Sequence, residues 1–211
     1  MSSQTTTTAI KPKPITPKAI VHFGLYTTPD KYEEMVQWHL SFFGGSLVLK
    51  NEFAAFIAYD DEHHRMVIVS DPNHVRPEDR KSAVGIFHIA FTLDTLADLA
   101  TSYEQRKALG IEPFWPVNHG MSTSMYYYDP DGNEFELQVD NFDTTEAARQ
   151  FMASEEYAEN PIGVDIDVEE WLRRVRSGED EKSIKARPVI GRRHTRPENS
   201  IYFSPIAIAA K

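Results

Sequence analysis

The chain has 211 residues, 41% of them hydrophobic, with no cysteine and a formal net charge of −10. That length and apolar content suit one domain with a sizeable core. The missing cysteine excludes disulfides, thiolate metal sites and a cysteine nucleophile, and the acidic balance speaks against a nucleic-acid surface. No apolar run reaches the ~20 residues of a membrane helix. A cytoplasmic protein with a small-molecule ligand, and without membrane or nucleic-acid partners, is expected.

Residues 1–17 form a polar Thr/Pro/Lys leader with no apolar signal region and no arginine, read as flexible. A first strand, IVHFGL (20–25), puts His22 and Gly24 on one face and the bulky residues on the other. The stretch DKYEEMVQWHLSFF (30–43) predicts a helix ended by Gly44-Gly45. Strands follow within FIAYDDEHHRMVIVSD (56–71), then a polar, Pro-containing linker. IFHIAF (86–91) repeats the first strand with His88 and Ala90, and DTLADLATSYEQRKAL (94–109) repeats the helix, ended by Gly110. His22 stands as far ahead of Gly44 as His88 does of Gly110. In MYYYDPDGNEFELQVD (125–140), Asp129-Pro130-Asp131-Gly132 predicts a turn, and Phe135, Leu137 and Val139 alternate with Glu134, Glu136 and Gln138. This stretch aligns without a gap to 56–71, Tyr59 on Tyr128 and Asp60 on Asp129.

The chain therefore reads as α+β, with two tandem βαβββ modules at about 18–72 and 84–140 inside a domain spanning 18–142. Beyond it, 143–211 reads as a C-terminal helical extension. A helix opens at Asp143-Thr144-Thr145-Glu146 and runs to about 157, and a second starts at Asp167 and ends near Ser177-Gly178. The remainder is charged, Pro-containing and aperiodic. His39 and His74 are expected at the surface.

Two such modules related by an approximate two-fold axis bring four equivalent positions toward one cavity: His22, Val67, His88 and Glu136. Alone, each histidine would read as a hydrogen-bonded core residue and Glu136 as a solvent-facing strand residue. Together they make two imidazoles and a carboxylate with a corner that Val67 leaves open, the donor set of non-haem Fe(II) centres that bind O2. Glu134 competes for the carboxylate role, but it lies nearer the turn and aligns with Arg65.

These residues resemble the vicinal oxygen chelate superfamily, and within it the one-domain type I extradiol (catechol meta-cleaving) dioxygenases of the biphenyl-2,3-diol 1,2-dioxygenase kind. YDPDGNEFEL (128–137) is the most recognisable stretch. The resemblance implies a glyoxalase/extradiol-type open barrel around a metal site, with Fe(II), or Mn(II), held by His22, His88 and Glu136. It implies that His64 lies beside O2, with His63 as its alternative, and that His119 and Tyr126 act on the substrate side. An aromatic diol and O2 would be the substrates, and a homo-oligomer the assembly. Phe114, Trp115 and Met125 are candidates to shape the pocket. The extension, NFDTTEAARQFM onward, resembles the tail of those dioxygenases and is expected to cover the cavity mouth or pack on a neighbouring subunit. Glyoxalase-like isomerases usually fill the corner that Val67 leaves empty. Fosfomycin-type thiol transferases share the His/His/Glu set but do not need His64, His119 and Tyr126. A non-catalytic binding module would lack the metal set.

Overall fold

The computed structural model describes residues 14–78 and 83–197, so the expectations for most of the leader and for 198–211 lie outside the described residues. The first module runs β1 (Phe23–Thr27), α1 (Tyr32–Phe43), β2 (Ser46–Lys50), β3 (Ala54–Ala58) and β4 (Met66–Ser70). The second runs β5 (Ile89–Thr92), α2 (Leu96–Ala108), β6 (Trp115–Asn118), β7 (Ser122–Tyr128) and β8 (Glu134–Asp140). Two open sheets result, ordered β1-β4-β3-β2 and β5-β8-β7-β6, the second extended by a short β9 (Val164–Asp165). The fold is the paired-module, open glyoxalase type, with no closed barrel among the described residues.

The repeat holds in register. In each module the first strand pairs in parallel with the last, Gly24 opposite Val67 in one and Ala90 opposite Glu136 in the other. Val67 and Glu136 are thus structural equivalents. Both strands begin three residues later than the sequence suggested, at Phe23 and Ile89, so His22 and His88 each sit just before the ladder starts. Gly44 closes α1 in the left-handed conformation at φ 61°, where glycine carries no Cβ penalty.

Helices and sheets bury a main aromatic core that draws on both modules. Phe42, Tyr127 and Phe135 are fully buried in it, with Phe23, Trp38, Phe43 and Phe91 packed against them, so side chains of both modules interdigitate. His39, expected at the surface, is fully buried. The reason is helical spacing: Tyr32, Met35, Val36, His39 and Phe42 form the inward stripe of α1. Its Nε2 lies 3.2 Å from Asp129 Oδ2, and Asp129 also accepts the backbone N–H groups of Asp131 and Asn133. A buried polar pair therefore ties α1 to the turn between β7 and β8. His74 is exposed and stacks on Tyr26.

The extension holds more structure than expected. The helix anticipated through 157 is two helices, α3 (Thr145–Met152) and α4 (Glu155–Glu159), because Ser154 caps the second by accepting Tyr157 N–H. β9 then pairs antiparallel with β6. α5 (Val168–Arg176), capped by Asp167, buries Trp171, and a short α6 (Glu181–Lys185) follows. No helix among the described residues is long and apolar enough to cross a membrane.

Candidate active site

Alternation along β7 and β8 decides which side chains face the second module's cavity. Ser122, Tyr126, Glu136 and Gln138 line a cavity of about 550 Å³ with His88, Trp115 and His119. Met125, on the opposite face, is fully buried in the core and does not line this cavity. Phe114 stacks on Tyr128, ring centroids 3.9 Å apart, and does not line this cavity, whereas Trp115 does. α3 supplies the outer wall through Ala148, Arg149 and Met152, so the extension borders the cavity.

At the inner end His88 Nε2 and Glu136 Oε2 lie 3.1 Å apart. Both side chains are close enough that they could hold one divalent ion between them. Burial works to raise the Glu136 carboxyl, yet hydrogen bonds from His88 and Ser124, with His119 nearby, hold it below the ordinary carboxylate value. Among the described residues the Nδ1 of His88 is buried without a hydrogen-bond partner. An ionised carboxylate beside an imidazole with an orphaned nitrogen, and no thiolate, fits a divalent ion such as Fe(II) or Mn(II). Glu134, the competing carboxylate, instead forms a buried ion pair with Arg196, and burial raises its carboxyl above the ordinary value.

His119 and Tyr126 form a second pair whose proton positions follow from geometry. His119 Nδ1 faces the carbonyl of Ile162, which can only accept, so this nitrogen carries the proton. Burial pushes the His119 imidazole down from its ordinary value, so it is neutral and its Nε2 is a bare acceptor. The Tyr126 hydroxyl, 3.0 Å away, can donate to Nε2, with the Glu136 carboxylate as its other acceptor. Burial first, and the Glu136 charge second, push the Tyr126 phenol well above its ordinary value. The phenol keeps its proton until something replaces it.

The Ile162 carbonyl, which nothing in the sequence pattern pointed to, is placed by the turn Asn160-Pro161-Ile162-Gly163. Asn160 Oδ1 accepts the N–H groups of Ile162 and Gly163, and its Nδ2 donates to Gly163 O. Gly163 has φ 112°, and a Cβ there would meet Asn118 O at 2.5 Å. Gly163→Ala is therefore expected to lower stability by about 1–3 kcal/mol and to displace the Ile162 carbonyl. A thermal melt together with the His119 ring-proton NMR signal checks both effects.

The histidines of the first module form a separate group. His22 is exposed and its ring lies 4.5 Å from that of His64, which also packs edge-on against Phe56. His63 and His64 approach through their Nδ1 atoms at 2.6 Å. Burial, then the neighbouring His63 and His22, lower His64 from its ordinary value. Four of the six sequence candidates, His88, Glu136, His119 and Tyr126, thus converge, while His22 keeps company with His64. Among the described residues no three His, Asp or Glu side chains come together in a metal-binding arrangement. Gly24 and Tyr26 of β1 do share a cleft with His88 and Ile89, so the strand face that carries His22 borders the His88 side.

A duplicated strand-helix-three-strand unit with a histidine–glutamate pair on its second cavity face defines a class, and the chain belongs to it. It is a member of the Glyoxalase/Bleomycin resistance protein/Dioxygenase superfamily, which matches residues 19–137. Among its relatives is the protein named biphenyl-2,3-diol 1,2-dioxygenase 2 of Rhodococcus globerulus, 42% identical over 152 residues, covering 72% of this chain and 78% of the relative. Another is biphenyl-2,3-diol 1,2-dioxygenase 3 of the same organism, 39% identical over 173 residues, covering 82% of this chain and 90% of the relative.

Proposed function

We propose that the protein is an extradiol dioxygenase that opens a catechol-type ring with O2, placing both oxygen atoms in the product, at a mononuclear Fe(II) held by His22, His88 and Glu136. The observation that carries this reading is the His88–Glu136 pair opening onto the same cavity as the Tyr126–His119 pair. A metal-ligand pair beside a proton acceptor is what a diol substrate requires, because it must bind through oxygen and lose protons. The names of the two Rhodococcus relatives favour the same chemistry.

Bound Fe(II) would supply the redox chemistry with O2 that protein side chains cannot. The chain supplies positioning and proton transfer. A diol hydroxyl hydrogen-bonding to the Tyr126 oxygen can pass its proton to the phenol as the phenol's own proton moves to His119 Nε2. The imidazolium so formed stays oriented by its Nδ1–H bond to Ile162. Trp115, Met121 and Ile162 supply apolar wall against which the ring would pack. His64, whose ring lies 4.5 Å from that of His22, is the O2-side residue in this reading.

Anaerobic loading with Fe(II), then aerobic assay against a panel of catechols, tests the proposal through O2 uptake and a yellow ring-fission product. Absence of turnover with every diol, together with thiol addition to an epoxide under Mn(II), would replace it with the transferase reading. His64→Ala is expected to keep its metal and lose roughly 10²–10⁴-fold in turnover, the range for a removed acid–base group. Metal loss in that variant would instead make His64 a ligand.

A further inference from the structure

After α6 the chain runs back across the second module as an arm fixed by arginines. Arg187 donates to the carbonyls of Asn160 at 2.7 Å and His119 at 3.2 Å. Arg193 donates to Gly163 O at 3.2 Å and to Asp165 at 3.0 Å, and His194 Nε2 meets the Glu159 carbonyl. The arm delivers Arg196 to the inner end of the cavity, among His88, Glu136, His119 and Tyr126. Arg196 is 7% exposed, its guanidinium carbon 4.6 Å from the ring centres of Phe87 and Trp115 and 5.2 Å from that of Tyr126.

This buried cation is incompletely satisfied. Its Nη2 pairs with Glu134, but among the described residues Nε and Nη1 are buried without an acceptor, and Glu134 Oε2 has no partner either. Aromatic faces stabilise the positive charge without offering an in-plane acceptor, and buried N–H donors left unpaired are unfavourable. Charged N–H donors such as these pair most strongly with an anionic oxygen. Such an oxygen arises at this spot in the reading above, on which this inference rests. Once Tyr126 and His119 have taken a proton, the diol is an anion at the end of the cavity that Arg196 occupies.

We propose that Arg196 is a substrate-binding residue carried in by the C-terminal arm, and that its guanidinium takes an anionic oxygen of the bound diol. That oxygen is either the deprotonated hydroxyl itself or a carboxylate borne on the ring. Arg196 would then select acidic or readily ionised diols, and the arm would be part of the binding site.

The test uses the full chain loaded with Fe(II), as wild type, Arg196→Gln and Arg196→Lys, with circular dichroism to establish folding. Anaerobic titration with catechol, biphenyl-2,3-diol and 3,4-dihydroxybenzoate is followed by tryptophan fluorescence, because Trp115 contacts Arg196. Aerobic kinetics on the same diols separate KM from kcat. Arg196→Gln is expected to raise Kd and KM at least tenfold with a smaller change in kcat. Arg196→Lys, which keeps the charge paired with Glu134 but loses the fork, is expected to recover only part of the loss. An effect confined to 3,4-dihydroxybenzoate assigns the oxygen to a ring carboxylate, and an equal effect on every diol assigns it to the catecholate. Kd values within twofold of wild type for all diols in both variants would overturn the proposal. If the wild type turns over no diol, the dioxygenase reading fails alone, and the titrations still decide the role of Arg196.

Discussion

Glu136→Gln is expected to fold normally and to lose both its metal and its turnover. The substitution keeps the shape and one acceptor oxygen, so the hydrogen bond from Ser124 survives, while the charge is removed. That charge is maintained against the cost of burial by hydrogen bonds from His88 and Ser124, an arrangement that makes sense if the carboxylate meets a cation. Losing an outer partner of a metal ligand costs about 10–100-fold in affinity or activity, so losing the ligand itself is expected to exceed roughly 100-fold in both. Elemental analysis after anaerobic Fe(II) loading reads the first effect and O2 uptake with a catechol the second. Glu134→Gln is the matched control. Its carboxyl faces Arg196 rather than His88, so it should retain metal. If Glu134→Gln loses the metal and Glu136→Gln keeps it, the two carboxylates have exchanged roles.

The duplication was legible because its markers are local. A histidine before a tiny residue in an apolar strand, a helix stopped by glycine and an aromatic-acidic turn each leave a short pattern, and all recur in step. Strand register then made Val67 and Glu136 equivalent, as the alignment required. Period-two alternation also held the correct answer for Met125: with Tyr126 facing the cavity, its neighbour must face the core. His39 was legible in part, since helical spacing puts it on the stripe of Met35, Val36 and Phe42. What made its burial tolerable, Asp129, lies 90 residues away and leaves no local pattern. The site's other surprises share that cause. The carbonyl that fixes the His119 tautomer is a backbone atom, and only the Asn-Pro-Ile-Gly turn around it could have drawn notice. Arg196 sits in a charged, aperiodic segment, and its three aromatic neighbours come from three separate stretches of chain.

Phe135→Ala is expected to give the largest loss of stability of any single substitution at the module boundary, because its ring joins what the repeat divides. It is fully buried. It packs edge-on against His39 at 5.1 Å and lies 5.8–6.3 Å from Phe42, Trp38, Phe43, Phe23 and Phe91. All of these except Phe91 belong to the first module, while Phe135 itself stands on β8 between Glu134 and Glu136. Removing a buried phenyl ring costs about 3–5 kcal/mol, which at about 2–4 °C per kcal/mol for a chain of this size lowers Tm by roughly 6–20 °C. The unfolding transition should stay single, since the neighbours on both sides lose the same contacts. Phe135→Leu, which refills part of the space, should recover more than half of the loss. The site should loosen in parallel: with His39 and Asp129 less firmly held, the β7–β8 turn gains freedom, and metal affinity falls although no ligand has changed. Calorimetry reads the first effect and a metal titration the second. A melt that splits into two transitions would show that the modules fold independently, and would remove Phe135 as the link between core and site.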